Sequence, residues 1–307
     1  MDELLDVTER IKSIEIQGAI NVAKAGIKAF ADYSNAISFN SKKELIPHLI
    51  KAQDILFKSR DTEPALWNCI KLIIKKVEKT SLTQEKELKT LISETSDLYI
   101  SHLTNATAEI GKIGARRITA GMTIMTHCHS TAAERILIEA WNDNKDIKVI
   151  CTETRPKLQG RITAKVLTDA GLPVTMVVDS AMRWVLKNKD VGMVITGADA
   201  ITSEGTVLNK IGSRLLALAA AESHVSYYIA TPLLKYDTET IIGNLTKIEL
   251  RDYEEIWCKE DGCPVNLKFE NPAFETISRE YIAGLITEVG IFTPELIGII
   301  FEKYYNI

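Results

Sequence analysis

Two histidines and a cysteine stand side by side in the segment MTHCHSTAAERI, as His127, Cys128 and His129. Imidazole and thiol groups bind metal ions, and a thiol can also act as an acid, a base or a nucleophile. In extended chain, however, the two histidines point to one face and Cys128 to the other, so one ion cannot reach all three without a bend. No H-x-x-x-H or C-x-x-C spacing supports them. We therefore expect no metal here, and Cys128 is either a reactive thiol or a buried, inert one.

Polar residues also follow four other short apolar segments. IKVICT precedes Glu153 and Arg155, VTMVV precedes Asp179, GMVIT precedes Gly197-Ala198-Asp199, and SYYIA precedes Lys235. Arg155 forms either a surface ion pair with Glu153 or a fork on a phosphate. Asp179 is most simply a helix N-cap. A carboxyl group that follows a strongly apolar segment, as Asp199 does, can serve as a general acid or base.

Two segments have the composition of a helix start. In NKIGS, Asn209 can cap a helix, Lys210 supplies positive charge, and the glycine allows an anionic ligand to approach closely. Thr131 to Glu134 matches the T-x-x-E capping box and predicts a helix directly after the cysteine. Free amides at such a helix start can hold a phosphate and can lower the pKa of a neighbouring thiol.

The spacing of apolar residues along the chain changes near residue 115. Before it, apolar residues recur at helical intervals, as in PALWNCIKLIIKKVEK. After it, five short apolar segments alternate with helical patterns, which indicates a parallel sheet covered by helices on both faces. We predict an α/β protein with a helical N-terminal domain, residues 1–115, and a Rossmann-like domain with a mostly parallel sheet, residues 116–307. Ligands of such sheets bind beyond the carboxyl ends of the strands, where the residues described above would lie.

The composition narrows the function. The 307 residues are 46% hydrophobic with a net charge of -4, and neither value is typical of a nucleic-acid-binding protein. The sequence has no membrane-spanning segment and no secretory signal, so we expect a cytoplasmic protein. Neither a G-x-G-x-x-G after a strand nor a Walker loop indicates a nucleotide cofactor. A thiol, a carboxyl group and several cations at one edge of the sheet suit an enzyme that acts on a small phosphorylated molecule.

The ordered motifs MTHCHS, ETRPKLQGRITAK, VVDSAM, GADAI, NKIGS and NPAFE resemble those of the superfamily of sugar-phosphate isomerases and initiation factor 2B regulatory subunits. The likeness is greatest to the archaeal ribose-1,5-bisphosphate isomerases and extends over nearly the whole chain. It implies conversion of ribose 1,5-bisphosphate to ribulose 1,5-bisphosphate in AMP degradation, without a metal or redox cofactor. It also implies a homo-oligomer, dimeric or hexameric, with AMP as a candidate effector.

The resemblance assigns roles to single residues. Cys128 and Asp199 match the catalytic pair of the family. In such a pair Cys128 would move the proton on C2, and Asp199 would protonate the ring oxygen or deprotonate the C2 hydroxyl. A hydride shift is the other route that stays open. The substrate-binding positions correspond to Gln17, Gly18, Ala19, Arg60, His129, Ser130, Arg155, Asn209, Lys210 and Lys235.

Two positions in the N-terminal half depart from the family. Gln17 stands where an arginine is usual, and Asp61 replaces a proline after Arg60. A neutral amide lacks the charged fork that arginine offers a phosphate, so we expect a Gln17→Arg variant to have a lower KM. Glu275 in NPAFE replaces a common aspartate, which is a smaller change.

Two other functions stay open. One is a non-catalytic regulatory subunit that binds translation initiation factor 2. The presence of both Cys128 and Asp199 argues against it, because such subunits typically lack one or both. The other is a methylthioribose-1-phosphate isomerase, whose RGAP segment reads QGAI in this chain.

Overall fold

The computed structural model describes residues 1–16, 18–60, 62–244, 248–264 and 266–305. Gln17 and Asp61, the two departures from the family pattern, lie outside these ranges. The chain divides into two compact units, Met1–Asn105 and Ala106–Ile307. The domain limits expected from the sequence, 1–115 and 116–307, stay predictions.

The first unit is helical. Its helices are Asp2–Lys12 (α1), Ala19–Ala36 (α2), Lys42–Phe57 (α3), Pro64–Lys79 (α4) and the larger part of Glu85–Ala115 (α5). The bounds of α4 coincide with the run PALWNCIKLIIKKVEK. Pro64 occupies its first turn, where the missing N–H is not needed. Leu66, Ile70 and Ile73 lie on the apolar stripe of α4 and are fully buried, which explains why helical periodicity predicted this helix.

The second unit combines sheets and helices. Its strands are Thr123–Thr126 (β1), Lys148–Thr152 (β2), Val174–Val177 (β3), Val191–Thr196 (β4), Ala200–Ile201 (β5), Val207–Lys210 (β6), Ser226–Ala230 (β7), Phe274–Ile277 (β8), Gly284–Thr287 (β9) and Gly290–Phe292 (β10). Its further helices are Thr131–Asn142 (α6), Gln159–Asp169 (α7), Met182–Asn188 (α8), Ser213–Glu222 (α9) and Ile297–Tyr305 (α10).

The larger sheet has the order β10-β9-β7-β4-β1-β2-β3 and is parallel except between β9 and β10. The smaller sheet has the order β5-β6-β8 and is antiparallel. The five apolar segments are β1, β2, β3, β4 and β7, so the predicted mostly parallel sheet is confirmed. The small sheet was not predicted from the sequence.

The chain reverses direction across the sheet between β1 and β4. From β1 the chain proceeds to β2 and β3 on one side, whereas β4 and β7 lie on the other. In doubly wound sheets the ligand crevice lies at this reversal, beyond the carboxyl ends of the strands. The segments after β1 and β4 approach closely here, since a Cβ on Gly197 would lie 2.6 Å from Ser130 Oγ. Residue 197 must therefore be glycine for the two segments to pack in this way.

Helices α6 and α7 connect the strands on one side of the reversal. Ile136 and Leu137 of α6 are buried in one core cluster with Ile124 and Val149 of the sheet. Each such side chain contributes roughly 1.5–3 kcal/mol by leaving water. At the end of α7, Gly171 has a φ of 88° and takes the predicted position after the C-cap. Among the described residues, no helix is both long and apolar enough to cross a membrane.

Two helix starts differ from prediction. Asn209 belongs to β6 and lies opposite Glu275 of β8 in the small sheet. Helix α9 begins only at Ser213. Ser130, and not Thr131, caps α6: its Oγ accepts the N–H of Ala133 at 3.3 Å. The capping-box interpretation is therefore wrong. Long-range pairing of β6 with β8 overrides the local helix signal in NKIGS.

Candidate active site

The backbone of Cys128 is left-handed, with a φ of 66°. A non-glycine residue in this region is uncommon and persists where surrounding contacts hold it. The Cys128 N–H donates to Thr154 Oγ1 at 2.9 Å, and the Cys128 carbonyl accepts from Thr163 Oγ1 at 3.0 Å. Thr154 follows β2 and Thr163 lies in α7, so two hydroxyl groups from other segments hold Cys128 in this conformation.

The Cys128 thiol is free and partly buried. Burial raises its pKa to about 12; the Lys210 ammonium opposes this increase, and the carboxyl groups of Asp199 and Asp179 add to it. The thiol therefore keeps its proton at neutral pH. The lowered pKa expected from the neighbouring helix start is wrong, because loss of hydration outweighs the positive charges around the sulfur.

Asp199 follows β4 and is held by the small sheet. Its backbone N–H donates to the Leu208 carbonyl of β6 at 2.8 Å. Lys235 Nζ donates to the carbonyl of Ala198, directly before Asp199. The carboxyl group lies near enough to Cys128 to disfavour its thiolate. The sequence-predicted residues Cys128, Asp199 and Lys235 thus lie at the same end of the sheet.

Lys210 is a buried cation at the end of β6, with 9% of its surface exposed. Its Nζ lies 4.6 Å from the centre of the Phe274 ring, a cation–π contact. Within the described part of the chain no carboxylate forms an ion pair with it. Its charge acts on both His127 and Cys128. The neighbouring Asn209 is buried, and its Nδ2 donates to Ser213 Oγ at 2.9 Å.

The amides at the start of α9 are already bound. Glu275 Oε1 accepts the N–H of Gly212 at 2.5 Å and the N–H of Arg214 at 3.0 Å. A carboxylate at a helix N-terminus is stabilised by the positive end of the helix. Glu275 therefore occupies the Gly212 and Arg214 amides, whereas Lys210 of the NKIGS segment forms no ion pair within the described residues. That this segment binds an anionic ligand stays a prediction.

Asp179 accepts hydrogen bonds from the backbone of the segment after β2. Its two carboxylate oxygens accept the N–H groups of Thr154 at 2.8 Å and of Arg155 at 2.7 Å. The N-cap interpretation of Asp179 is wrong, because its acceptors are used between strand ends instead. The Arg155 side chain is exposed and donates to the Ile256 carbonyl at 2.9 Å, and Glu153 pairs with Arg161 at 3.5 Å instead of with Arg155.

His127 is buried and bound through both ring nitrogens. Nδ1 lies 2.6 Å from Thr152 Oγ1, and Nε2 lies 2.8 Å from the Ile211 carbonyl. Burial lowers the pKa of His127, so the ring is neutral at neutral pH. Because a carbonyl only accepts, Nε2 carries the proton and Nδ1 is the acceptor. The sequence did not reveal the partner threonines; their one signal is a pair of hydroxyl residues, Thr152 and Thr154, at the end of an apolar strand.

The model of the initiation factor 2 subunit family matches residues 15–294. The chain belongs to this family. Ribose 1,5-bisphosphate isomerase of Methanocaldococcus jannaschii is 41% identical over 306 residues, which cover 100% of this chain and 96% of that protein. Methylthioribose-1-phosphate isomerase of Acetivibrio thermocellus is 33% identical over 94% of this chain and 88% of that protein.

Solved structures of the initiation factor 2 subunit family share the fold. A chain of the tetrameric eIF2B-beta2-delta2 complex from C. thermophilum superimposes with a TM-score of 0.81 at 25% identity, over 94% of this chain and 91% of that chain. The family thus contains proteins named as sugar-phosphate isomerases and proteins named as subunits of translation factor complexes. The resemblance seen in the ordered motifs is confirmed.

Two further residues that the sequence predicts to bind substrate, His129 and Ser130, follow Cys128 directly. His129 Nδ1 lies 2.7 Å from Glu134 Oε1, and Thr163 Oγ1 lies 2.6 Å from the same oxygen. The carboxylate that was expected in a capping box thus orients the His129 ring. The Ser130 hydroxyl accepts from the Ala133 amide and stands against Gly197, so its position is fixed by α6 and by the end of β4.

The remaining predicted binding residues belong to the first unit. Gly18, with a φ of 82°, is the N-cap of α2, and Ala19 is the first residue of that helix. The Arg60 guanidinium is mostly buried and pairs with Glu63 Oε1 at 3.1 Å. Gln17 lies outside the described residues. Across the residues that are described, His, Cys, Asp and Glu side chains form no group of three that could hold a metal ion.

Proposed function

We propose that the protein is an isomerase that converts ribose 1,5-bisphosphate to ribulose 1,5-bisphosphate, with Cys128 and Asp199 as its acid–base pair. The observation that carries the proposal is the meeting of a protonated thiol, a carboxyl group and the buried Lys210 at the reversal point of the sheet. The names of relatives that match the full chain, such as the isomerase of M. jannaschii, support the same substrate.

Lys210 supports a phosphorylated substrate. A buried ammonium loses hydration and needs a partner to offset that loss. The Phe274 ring supplies part of it, and none of the described carboxylates supplies the rest. A phosphate group bound beside Lys210 would complete the pairing through charge-assisted hydrogen bonds. Because Lys210 also acts on the Cys128 thiol, this phosphate would be the one next to the reacting carbon atoms.

The raised pKa of Cys128 supports its role as the acid of the pair. Ring opening breaks the bond between C1 and the ring oxygen, and the oxygen must receive a proton. In our proposal Cys128 donates that proton, the hydrogen on C2 moves to C1 with its electron pair, and Asp199 takes the proton of the C2 hydroxyl as the C2 carbonyl forms. The proton then returns from Asp199 to Cys128 through solvent, so the reaction is balanced. Abstraction of the C2 proton by a Cys128 thiolate is the alternative that this proposal opposes.

An isotope experiment separates the two routes. Substrate with deuterium on C2 is converted in ordinary water, and the product is analysed by NMR. Transfer of hydride within the substrate keeps the deuterium on C1. Proton abstraction through the enzyme exchanges it with solvent, and loss of the label would contradict the role given to Cys128 without contradicting the isomerase activity.

The substrate itself is tested by turnover. We expect the purified protein to convert ribose 1,5-bisphosphate with a kcat/KM at least tenfold above that for methylthioribose 1-phosphate, because a second phosphate adds charge-assisted contacts of about 1.5–3 kcal/mol. Cys258→Ser serves as the cysteine control for Cys128→Ser in the same turnover assay. Absence of turnover on both sugars, together with binding of translation initiation factor 2, would instead assign the chain to the regulatory subunits.

We propose further that the protein is a homo-oligomer, dimeric or hexameric, and that AMP activates it in an AMP-degradation route. The likeness to a chain of a tetrameric complex supports an oligomeric state. Light scattering measures the oligomer, and turnover with and without AMP tests the effector. Turnover rates that are the same with and without AMP, both at saturating and at low substrate, would refute a role of AMP.

A further inference from the structure

A chain of hydrogen bonds begins at the backbone of Cys128 and passes behind the thiol. The Cys128 amide lies 2.9 Å from Thr154 Oγ1, which lies 3.3 Å from Thr152 Oγ1. Thr152 Oγ1 lies 2.6 Å from His127 Nδ1, and His127 Nε2 lies 2.8 Å from the Ile211 carbonyl. Both threonines and the histidine are at most 1% exposed, so water does not compete for these contacts.

Every hydrogen bond in this chain has one allowed direction. The Ile211 carbonyl only accepts, so His127 donates through Nε2 and accepts at Nδ1. Thr152 therefore gives its single hydroxyl proton to Nδ1 and must accept from Thr154. Thr154 in turn accepts the Cys128 N–H. The direction is thus set from the amide of Cys128 to the carbonyl of Ile211.

The chain connects two segments that carry the reacting groups. His127 directly precedes Cys128, and Ile211 directly follows Lys210. The close approach of His127 to the Ile211 carbonyl depends on Gly212, which has a φ of 100° and on which a Cβ would lie 2.8 Å from His127 Nε2. A larger residue at 212 would push the histidine and the Lys210 segment apart.

We propose that His127 is a positioning residue that fixes, through this hydrogen-bond chain, the separation of the Cys128 thiol and the Lys210 ammonium. The inference rests on the proposed function, in which these two groups act on the sugar phosphate. No contact between His127 and the substrate is required.

Protonation of His127 would reverse the chain. Nδ1 would then donate to Thr152, whose proton would turn to Thr154, and the Thr154 hydroxyl proton would lose its acceptor among the described residues. The charged groups that face the ring are Asp179, with Oδ1 3.9 Å from Nδ1, and Lys210. Asp179 favours the protonated ring and Lys210 opposes it; burial supports the neutral ring by lowering its pKa. The neutral form is the one that keeps every partner satisfied.

Two substitutions at Thr152 test the proposal. Thr152→Val keeps the shape and removes the hydroxyl, and Thr152→Ser keeps the hydroxyl. Since a misplacement of about 1 Å in an active site lowers turnover by about 100-fold, we expect Thr152→Val to lower kcat by about 10- to 100-fold with less than about threefold change in KM. We expect Thr152→Ser to restore kcat to within about threefold of the wild type. Thr95→Val removes a buried hydroxyl from the first unit, where it donates to Leu91, and is the control expected to keep kcat.

Two readouts do not depend on turnover. In ¹⁵N NMR of histidine-labelled protein at pH 7.5, His127 should be neutral with its proton on Nε2, and its signals are assigned by their loss in His127→Gln. The pH dependence of Cys128 alkylation should shift in Thr152→Val and stay unchanged in Thr152→Ser, because the distance to Lys210 affects the thiol.

The outcomes separate the two proposals. A wild type without turnover overturns the proposed function, whereas the NMR and alkylation results still decide on the hydrogen-bond chain. A His127 ring that is charged or carries its proton on Nδ1 would overturn the proposed direction of the hydrogen bonds, even in an active isomerase. Equal kcat and equal alkylation profiles in Thr152→Val and Thr152→Ser overturn the positioning role. Should Thr152→Val not fold, the wild-type NMR result and a Thr152→Ala variant replace it.

Discussion

The high pKa of the Cys128 thiol predicts slow alkylation by iodoacetamide. At pH 8 a thiol with the reference pKa of 9.0 is about one-tenth thiolate, whereas a thiol with a pKa of about 12 is about 10⁻⁴ thiolate. The thiolate population is therefore about 1000-fold smaller. The intrinsic nucleophilicity of a thiolate rises with its pKa with a coefficient of about 0.5, so the increase of about three pKa units restores about 30-fold of the rate. We expect Cys128 in the folded protein to react about 30-fold more slowly than in the unfolded chain.

The assay follows alkylation of the Cys128 peptide by mass spectrometry between pH 7 and pH 10, with protein in denaturant as the reference. Steric shielding lowers the rate at every pH, but it does not move the pH at which the rate levels off. We expect the folded protein to show a rate that still rises about tenfold per pH unit at pH 10. A Lys210→Met variant should react still more slowly, because the ammonium opposes the high pKa. A rate that levels off below pH 9 in the wild type would refute the protonated thiol and favour a thiolate base.

Two further predictions concern stability. Glu275→Gln should lower the free energy of unfolding by about 1 kcal/mol, because the Glu275 carboxylate accepts the first amides of α9. Thermal denaturation measures this loss, with Glu270→Gln at an exposed position as the control. Equal losses in both variants would contradict the capping role of Glu275. His127 has a lowered pKa in the folded state, so the unfolded chain binds its proton first as the pH falls below the reference value of 6.5. The stability that the neutral His127 ring provides is therefore fully present above pH 6.5 and is lost as the pH falls below it. Urea denaturation at pH 5.5 and 7.5 should show a smaller change in the free energy of unfolding for His127→Gln than for the wild type. Equal changes in both proteins would contradict a neutral buried ring.

Local patterns predicted the large sheet and the strand ends at which Cys128 and Asp199 lie. The strands β1, β2, β3, β4 and β7 are short apolar runs between helical patterns, and such runs form buried parallel strands wherever helices cover both faces. In that topology the residues after β1 and β4 lie at the same edge of the sheet, and the Asp199 carboxyl group acts electrostatically on the Cys128 thiol. The fold therefore follows from periodicity, and the proximity of the pair follows from the fold.

The features that sequence reasoning predicted wrongly depend on contacts between distant segments. Asn209 and Lys210 looked like a helix start, but β6 pairs with β8, more than 60 residues later in the chain. The pKa of Cys128 is set mainly by burial, which no helix-capping pattern reports. The hydrogen-bond chain through His127 joins three segments, and only the three-dimensional structure brings Thr152 beside His127.

The roles of Cys128 and Asp199 are tested most directly by a double-mutant cycle on turnover of ribose 1,5-bisphosphate. Wild type, Cys128→Ser, Asp199→Asn and the double variant are compared at saturating substrate, with circular dichroism to confirm folding. Groups that act as one acid–base unit are not additive, so each single variant should lose about 10³-fold in kcat and the double variant should be no slower than the slower single one. A single variant that keeps more than about one-tenth of the wild-type kcat, or losses that multiply in the double variant, would contradict an acid–base pair of Cys128 and Asp199.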